Sequence, residues 1–289
     1  MKIHEYTALL KAALVGDESR ARELAACAEA NLKRNGQHAA AKQIRYALQT
    51  PQLKPLPLKE CSALVETPPI CQLTDLVVTK PVREGIESLL LEQRSAERLH
   101  AAGFLAASRV LLHGPPGTGK TSLAHAVAAE LQVPLLVATA EEIWDSYLGA
   151  TSKKLLDVFR VAGGRRCVLL LDEADVLFAQ RTASPGKEST ECARITSTSL
   201  TQIPALPDST ILFAATNLIE RVDHAISRRF DVVLGLSAPP IAALRAFAIE
   251  LASRHEVSID GLELGENFST AKQAVLSRAK QRLLIQATA

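Results

Sequence analysis

No apolar run in this sequence approaches the ~20 residues that a membrane-spanning helix needs, so an integral membrane protein is not expected. The first residues, Met1-Lys2-Ile3-His4-Glu5, lack the apolar stretch of a secretory signal, and a cytoplasmic protein is expected. Cysteine is sparse. Cys27, Cys61, Cys71, Cys167 and Cys192 form no CxxC pair and show no metal-ligand spacing. That excludes a zinc ribbon or a disulfide scaffold and leaves five thiols that read as small buried hydrophobes. Net charge is almost absent: 33 Lys and Arg against 31 Asp and Glu give +2. A strongly basic nucleic-acid protein is therefore not indicated. Neither H-E-x-x-H nor G-x-S-x-G occurs, so no protease chemistry of those types is built into the chain. There is no internal repeat.

What is present is ordinary globular material. Over 289 residues, 47 % are hydrophobic and 22 % charged, enough for a sizeable core and about two domains. Residues 1–50 read as a small helical module. Leu9, Leu10, Ala13 and Leu14 recur at helical spacing, and so do Ala21, Leu24, Ala25 and Ala28. Asp17 can cap the second helix, and a third runs from Ala39 to Leu48. The stretch 51–70 is crowded with Pro51, Pro55, Pro57, Pro68 and Pro69, and reads as a linker or an extended arm. A helical pattern resumes from Val82 to about Ala102 and closes at Gly103.

Beyond it, apolar strands alternate with helices. Strand-like runs lie at Arg109–Leu112, Pro134–Ala138, Cys167–Leu171, Thr210–Ala214 and Asp231–Leu236. Helical stretches lie at Lys120–Leu131, Ser152–Val161 and roughly Thr190–Gln202. The alternation predicts an α/β fold with a parallel sheet covered by helices on both faces. From Ser237 to Ala289 only helical periodicity remains, which predicts a small all-α lid.

The chemistry concentrates in three places. Gly114-Pro115-Pro116-Gly117-Thr118-Gly119-Lys120-Thr121 fits G-x-x-x-x-G-K-[ST] between a strand and a helix. Glycines let backbone N–H groups turn toward phosphate oxygens, and the start of the helix, through Ser122, adds partial positive charge. Lys120 would sit by the β- and γ-phosphates and Thr121 would ligate Mg²⁺. The strand Val168–Leu171 ends in Asp172-Glu173, which delivers acids to the crevice where such sheets bind ligands. Asp172 would hold Mg²⁺ through its water shell and Glu173 would deprotonate an attacking water. The strand from Thr210 ends in Asn217, which can hydrogen-bond that water or the γ-phosphate.

In this order the motifs resemble the AAA clade of the AAA+ ATPases, including katanin, spastin and the membrane-anchored AAA proteases. The likeness runs from about Cys71 to Leu236, so a P-loop ATPase core over 71–236 is expected, followed by the lid over 237–289. Gly114–Thr121 looks like Walker A, Leu169–Glu173 like Walker B, and Asn217 like sensor 1. Asp223–Asp231 resembles the segment that carries arginine fingers, which implies that Arg228 and Arg229 reach the γ-phosphate of a neighbouring subunit. Tyr147, Leu148 and Gly149 align with the pore loop that grips polypeptide in remodelling members, while Trp144 reads as packing. Leu76 and Val77 sit where adenine contacts would begin.

The resemblance implies an ATP- and Mg²⁺-dependent, homo-oligomeric ring, a hexamer. Such a ring remodels or unfolds protein substrates, with any protease being a separate polypeptide. The N-terminal module would dock a partner or substrate. A nucleic-acid-associated factor, such as a loader or transposition helper, is the alternative. One departure stands out: where the clade has Gly-x-Ser-Gly-Ala-Asp, this chain has Asn267-Phe268-Ser269-Thr270-Ala271-Lys272, which makes Lys272 a candidate substitute for sensor 2.

Overall fold

A computed structural model describes residues 18–34, 36, 56–144, 150–179 and 187–288. The first and third expected N-terminal helices, and Asp17, lie outside the described residues. The second is α1 (Glu18–Arg34), on which Ala28 and Leu32 are buried.

Six strands form one sheet: β1 (Val65–Thr67), β2 (Arg109–His113), β3 (Leu135–Thr139), β4 (Cys167–Asp172), β5 (Thr210–Thr216) and β6 (Val232–Gly235). Their spatial order is β1-β3-β4-β5-β2-β6. Only β1 runs antiparallel to its neighbour; the other pairings are parallel. The five expected strands all form, each within two residues of its reading.

In β2 to β5 the apolar runs are continuous because both faces are covered, and the period of two sorts each of these strands between two cores. Val168 and Leu170 of β4 face one core, while Leu169 and Leu171 face the other. The first core takes side chains from α2 (Lys80–Arg94) and α4 (Lys120–Leu131). Between these lies α3 (Ala96–Ala101). The opposite core takes them from α5 (Ala140–Ile143), α6 (Ala150–Gly163), α7 (Ala174–Leu177) and α8 (Lys187–Ala205). Helix α5 starts with a capping box: Glu142 N–H donates to Thr139 Oγ1 (3.3 Å) and Thr139 N–H to Glu142 Oε2 (3.1 Å). The short α9 (His224–Ser227) precedes β6. Two long helices follow it, α10 (Ile241–Arg254) and α11 (Phe268–Thr288), packed through Ala248, Ala252 and Val275.

Two local differences from the sequence reading have clear causes. The single helix expected over 82–102 is two, joined at Ser95, whose N–H donates to both Leu91 O (3.0 Å) and Glu92 O (3.1 Å). The described part of the proline-rich stretch, 56–70, packs as an arm. Cys61, Ala63 and Leu64 sit in the core beside Leu136, and β1 pairs with β3. Prolines flank this strand without interrupting it, as suits an edge position.

Candidate active site

The parallel strands aim their carboxyl ends at one crevice. Strand β5 lies between β2 and β4. Asn217, one residue past β5, therefore falls between the phosphate loop after β2 and the acid pair after β4.

The loop is shaped by its glycines. Gly114 has φ +142°, and a Cβ there would collide with the Leu236 carbonyl, so only glycine fits. Gly119 has φ +96° and stands at the N-cap of α4. Thr118 Oγ1 donates to Pro115 O (2.9 Å) and pins the turn. Lys120 opens the helix and is 8 % exposed. Its ammonium donates to Gly114 O (2.7 Å), Pro115 O (2.8 Å) and Asn217 Oδ1 (2.8 Å). Burial pushes its pKa below the ordinary lysine value, and the charges of Asp172 and Asp175 partly offset this. A buried cation held only by neutral oxygens is matched to an anionic ligand.

Across the crevice, Thr121 Oγ1 donates to Asp172 Oδ2 (2.8 Å). This hydroxyl–carboxylate pair is the donor set that hard cations such as Mg²⁺ prefer. Glu173 is exposed and has φ +56°, a left-handed conformation that costs a non-glycine residue about 1 kcal/mol or more. Its N–H donates to Asp172 Oδ1 (3.0 Å). Behind the acids, Thr216 Oγ1 donates to Asp175 Oδ1 (2.8 Å), which fixes the end of β5 against α7.

The crevice opens into a cleft of about 560 Å³. Gly117, Thr118, Lys120, Thr121, Asp172 and Asn217 line its polar end, and Pro116, Gly119, Ser122 and Glu173 border it too. Gly114 and Pro115 stand behind the lining and contribute carbonyls to Lys120. Leu76 and Val77 line the cleft as well. Phe247, Leu251 and Phe268 line it too, and periodicity alone gave no reason to single them out. Phe247 and Phe268 meet edge to face, with ring centroids 5.2 Å apart. An apolar slot ending at a cationic loop fits a purine nucleoside polyphosphate, and the Thr121–Asp172 pair fits its Mg²⁺.

The C-terminal helices close on this cleft. Lys272 lines it, and the Asn267 side chain lies against Gly117 of the phosphate loop. Arg254 bonds Asp75 (3.3 Å) and Glu250 (2.6 Å), tying α10 to the arm beside Leu76. That tie spans 179 residues of sequence, and no local signal could have revealed it. Arg228 and Arg229 are exposed and stand outside the lining of the cleft. Tyr147, Leu148 and Gly149 lie outside the described residues.

Comparison with known proteins gives this arrangement a family. Residues 110–238 match the family described as "ATPase family associated with various cellular activities (AAA)". Residues 110–238 form an AAA-family ATPase domain. ATP and Mg²⁺ are therefore its ligands, and ATP hydrolysis is the reaction of its family. The AAA match runs from β2 through β6 and includes the phosphate loop, Asp172, Glu173 and Asn217, while the arm at Leu76 and the two C-terminal helices that also line the cleft lie outside it.

The chain is 32 % identical over 217 residues to an uncharacterized AAA family ATPase of Sinorhizobium fredii, covering 72 % of this chain and 65 % of that protein. It is 34 % identical over 181 residues to the peroxisomal ATPase PEX6 of Arabidopsis thaliana, covering 59 % of this chain and 19 % of PEX6. It is also 36 % identical over 154 residues to the ATP-dependent zinc metalloprotease FtsH of Rhodococcus erythropolis, covering 52 % of this chain and 18 % of FtsH. The chain thus spans under two thirds of the first relative and under a fifth of the other two. Among the described residues, no helix is long and apolar enough to cross a membrane.

Proposed function

We propose that this chain hydrolyses ATP as one subunit of a homo-oligomeric ring, a hexamer, in the cytoplasm. The ring remodels or unfolds protein substrates by drawing them through a central pore, and a separate protease receives any client that is degraded. The observation that carries the reading is the Lys120–Asn217 and Thr121–Asp172 cluster in one cleft, with Arg228 and Arg229 standing outside it. The cluster has what phosphate and metal need, and the arginines face outward, as groups serving a neighbour would.

In this mechanism Lys120 exchanges its carbonyl partners for β- and γ-phosphate oxygens. Thr121 and Asp172 would hold Mg²⁺, which would supply positive charge against the phosphates. Asn217 orients a water, and Glu173 takes its proton as the oxygen attacks the γ-phosphorus and the bond to the β-phosphate oxygen breaks. Arg228 and Arg229 of the adjacent subunit stabilise the charge that develops, worth roughly 10³ to 10⁵ in rate for such groups. Leu76 and Val77 face the base, and so do Phe247 and Phe268. The last two helices serve as a lid, with Lys272 as the cation it brings to the nucleotide. Tyr147, Leu148 and Gly149 grip the polypeptide by apolar contact, and the module at residues 1–50 docks the partner or substrate.

The test uses Glu173→Gln protein, which should bind ATP and stall in the engaged state. With ATP and Mg²⁺ it is expected to elute as a ring and to retain protein clients from its host, and Tyr147→Ala should abolish that retention. A monomer under all nucleotide conditions would refute the ring. Retention of nucleic acid, insensitive to Tyr147→Ala, would replace protein remodelling with a nucleic-acid role.

A further inference from the structure

The segment that carries Arg228 and Arg229 is fastened at both ends to parts of its own subunit's ATP site. At its start, Asp223 caps α9 through Ala225 N–H to Asp223 Oδ1 (2.7 Å). Asp223 N–H also donates to Phe178 O (2.7 Å), and Ala179 bridges Val222 in antiparallel fashion. Phe178 caps the other end of α7, the single turn that Glu173 opens. At the segment's end, Asp231 Oδ2 accepts the N–H groups of Ser108 and Arg109 (2.9 Å each), and Asp231 N–H donates to Arg109 O (2.9 Å). These bonds hold it to the foot of β2, the strand that leads into the phosphate loop. Between the anchors, the Phe230 ring packs on the fully buried Phe178 ring, with centroids 6.3 Å apart and planes tilted by 54°. Phe230 immediately follows Arg229.

We propose that the Phe178–Phe230 ring contact and the Phe178–Asp223 backbone bond form a bracket through which the Glu173 end of one site sets where Arg228 and Arg229 are presented to the next. The inference rests on the ring reading above. Phe178 and Phe230 touch no substrate; they are positioning residues. Helix α7 is only four residues long, and its turn begins at the left-handed Glu173. A change of Glu173 between its water-engaged and released states therefore has one turn of helix in which to be absorbed. The next rigid object is the Phe178 ring, and the tilted Phe230 ring packs against it. Packed interiors transmit such displacements because they leave little void to absorb them. The bracket would make the arginines offered to a neighbour depend on the state of the subunit that owns them.

The arrangement predicts damage in trans, which a merely structural role would not give. Glu173→Gln subunits are mixed with an equal amount of wild-type chain, and turnover per wild-type subunit is measured. The mixture is then repeated with Glu173→Gln subunits that also carry Phe178→Leu, and again with Phe230→Leu in case the first double variant folds poorly. A tag on the variant subunit confirms that it has entered the ring. The variant subunits are already unable to hydrolyse, so any further loss belongs to their wild-type neighbours. In a random ring half the wild-type sites take their arginines from a variant, and a displaced arginine costs roughly 10³ or more, so turnover should fall about a further twofold. Coincident curves for single and double variants that have entered the ring would overturn the bracket while leaving the ring reading intact. A chain that never co-assembles would overturn both.

Discussion

The sheet and the C-terminal helical pair are built on different principles. The sheet lies between two apolar cores. Val110, Leu111, Leu112, Leu169, Leu170, Leu171, Leu212 and Phe213 are all fully buried, and neighbouring strands cross-brace them. Among the described residues the helical pair buries Leu244, Ala248, Ala252, Ala271, Val275 and Ala279, mostly small side chains, and only Ala248, Ala252 and Val275 form its central cluster, with partly buried apolar residues around them. Much of the rest of its cohesion is polar. Arg278 donates to Ser258 O (3.1 Å) and Asp260 O (2.6 Å), Arg282 pairs with Glu256 (3.0 Å), and Arg254 reaches across to Asp75. Apolar burial on the scale of the sheet holds a geometry rigidly, whereas exposed ion pairs stabilise weakly and are screened by salt. The acid, lysine and asparagine stand on the rigid part, where positions must hold. The groups that line the cleft from the C-terminal helices, and Asn267 against the phosphate loop, stand on the more weakly held part.

The largest effect tests the chemistry of the rigid half. Glu173→Gln should lower steady-state turnover about 10²- to 10⁴-fold while ATP binding and the thermal midpoint stay near wild type. Unfolding and activity would then be separable, as expected if Glu173 sits on the frame without supporting it. Near-normal turnover would remove Glu173 as the base. Phe213→Ala, in the middle of β5, should cost about 3–5 kcal/mol in a denaturant melt, because both faces of the sheet leave no room to collapse. A cost below about 1 kcal/mol would show that the sheet is as tolerant as the helical pair.

Smaller effects address the other half. Val275→Ala should cost about 2 kcal/mol by the same logic. Its loss should appear first as proteolytic cutting between α10 and α11, with β2 to β5 still protected from hydrogen exchange. Cutting and exchange that rise together would mean the two halves unfold as one. Arg254→Ala is the mildest change. It should leave the melt unchanged and weaken ATP affinity by less than about fivefold, with the difference fading at high salt. A salt-independent loss would mean that Arg254 contacts the nucleotide directly.

Sequence legibility follows the same divide. Central strands are short apolar runs because they are buried on two faces, so β2 to β5 announce themselves, while the edge strand β6 is legible from its Val232-Val233-Leu234 run although only Leu234 is buried. The phosphate loop is legible because backbone geometry demands glycine at Gly114 and a buried ammonium demands Lys120. Strand β1 was hidden: it has three residues, Val65 and Glu66 are exposed, and prolines flank it. The aromatic wall of the cleft, Phe247 and Phe268, and the clamp from Arg254 to Asp75 come from loops and helices distant in sequence. Periodicity reports which face of a helix is apolar but not which partner it meets. Phe178 and Phe230 read as ordinary core residues until the fold sets one ring on the other.

The claim on which the rest depends is that a working site is shared between two subunits. It is tested by mixing two inactive proteins, Lys120→Ala and the Arg228→Ala/Arg229→Ala double variant. The first lacks its own phosphate site and still offers arginines; the second keeps its site and offers none. In a ring of head-to-tail interfaces, an equal mixture should regain roughly a quarter of wild-type ATP turnover, because one interface in about four joins an intact site to an intact arginine pair. No recovery on mixing, or a double variant that hydrolyses ATP normally by itself, would contradict the shared site.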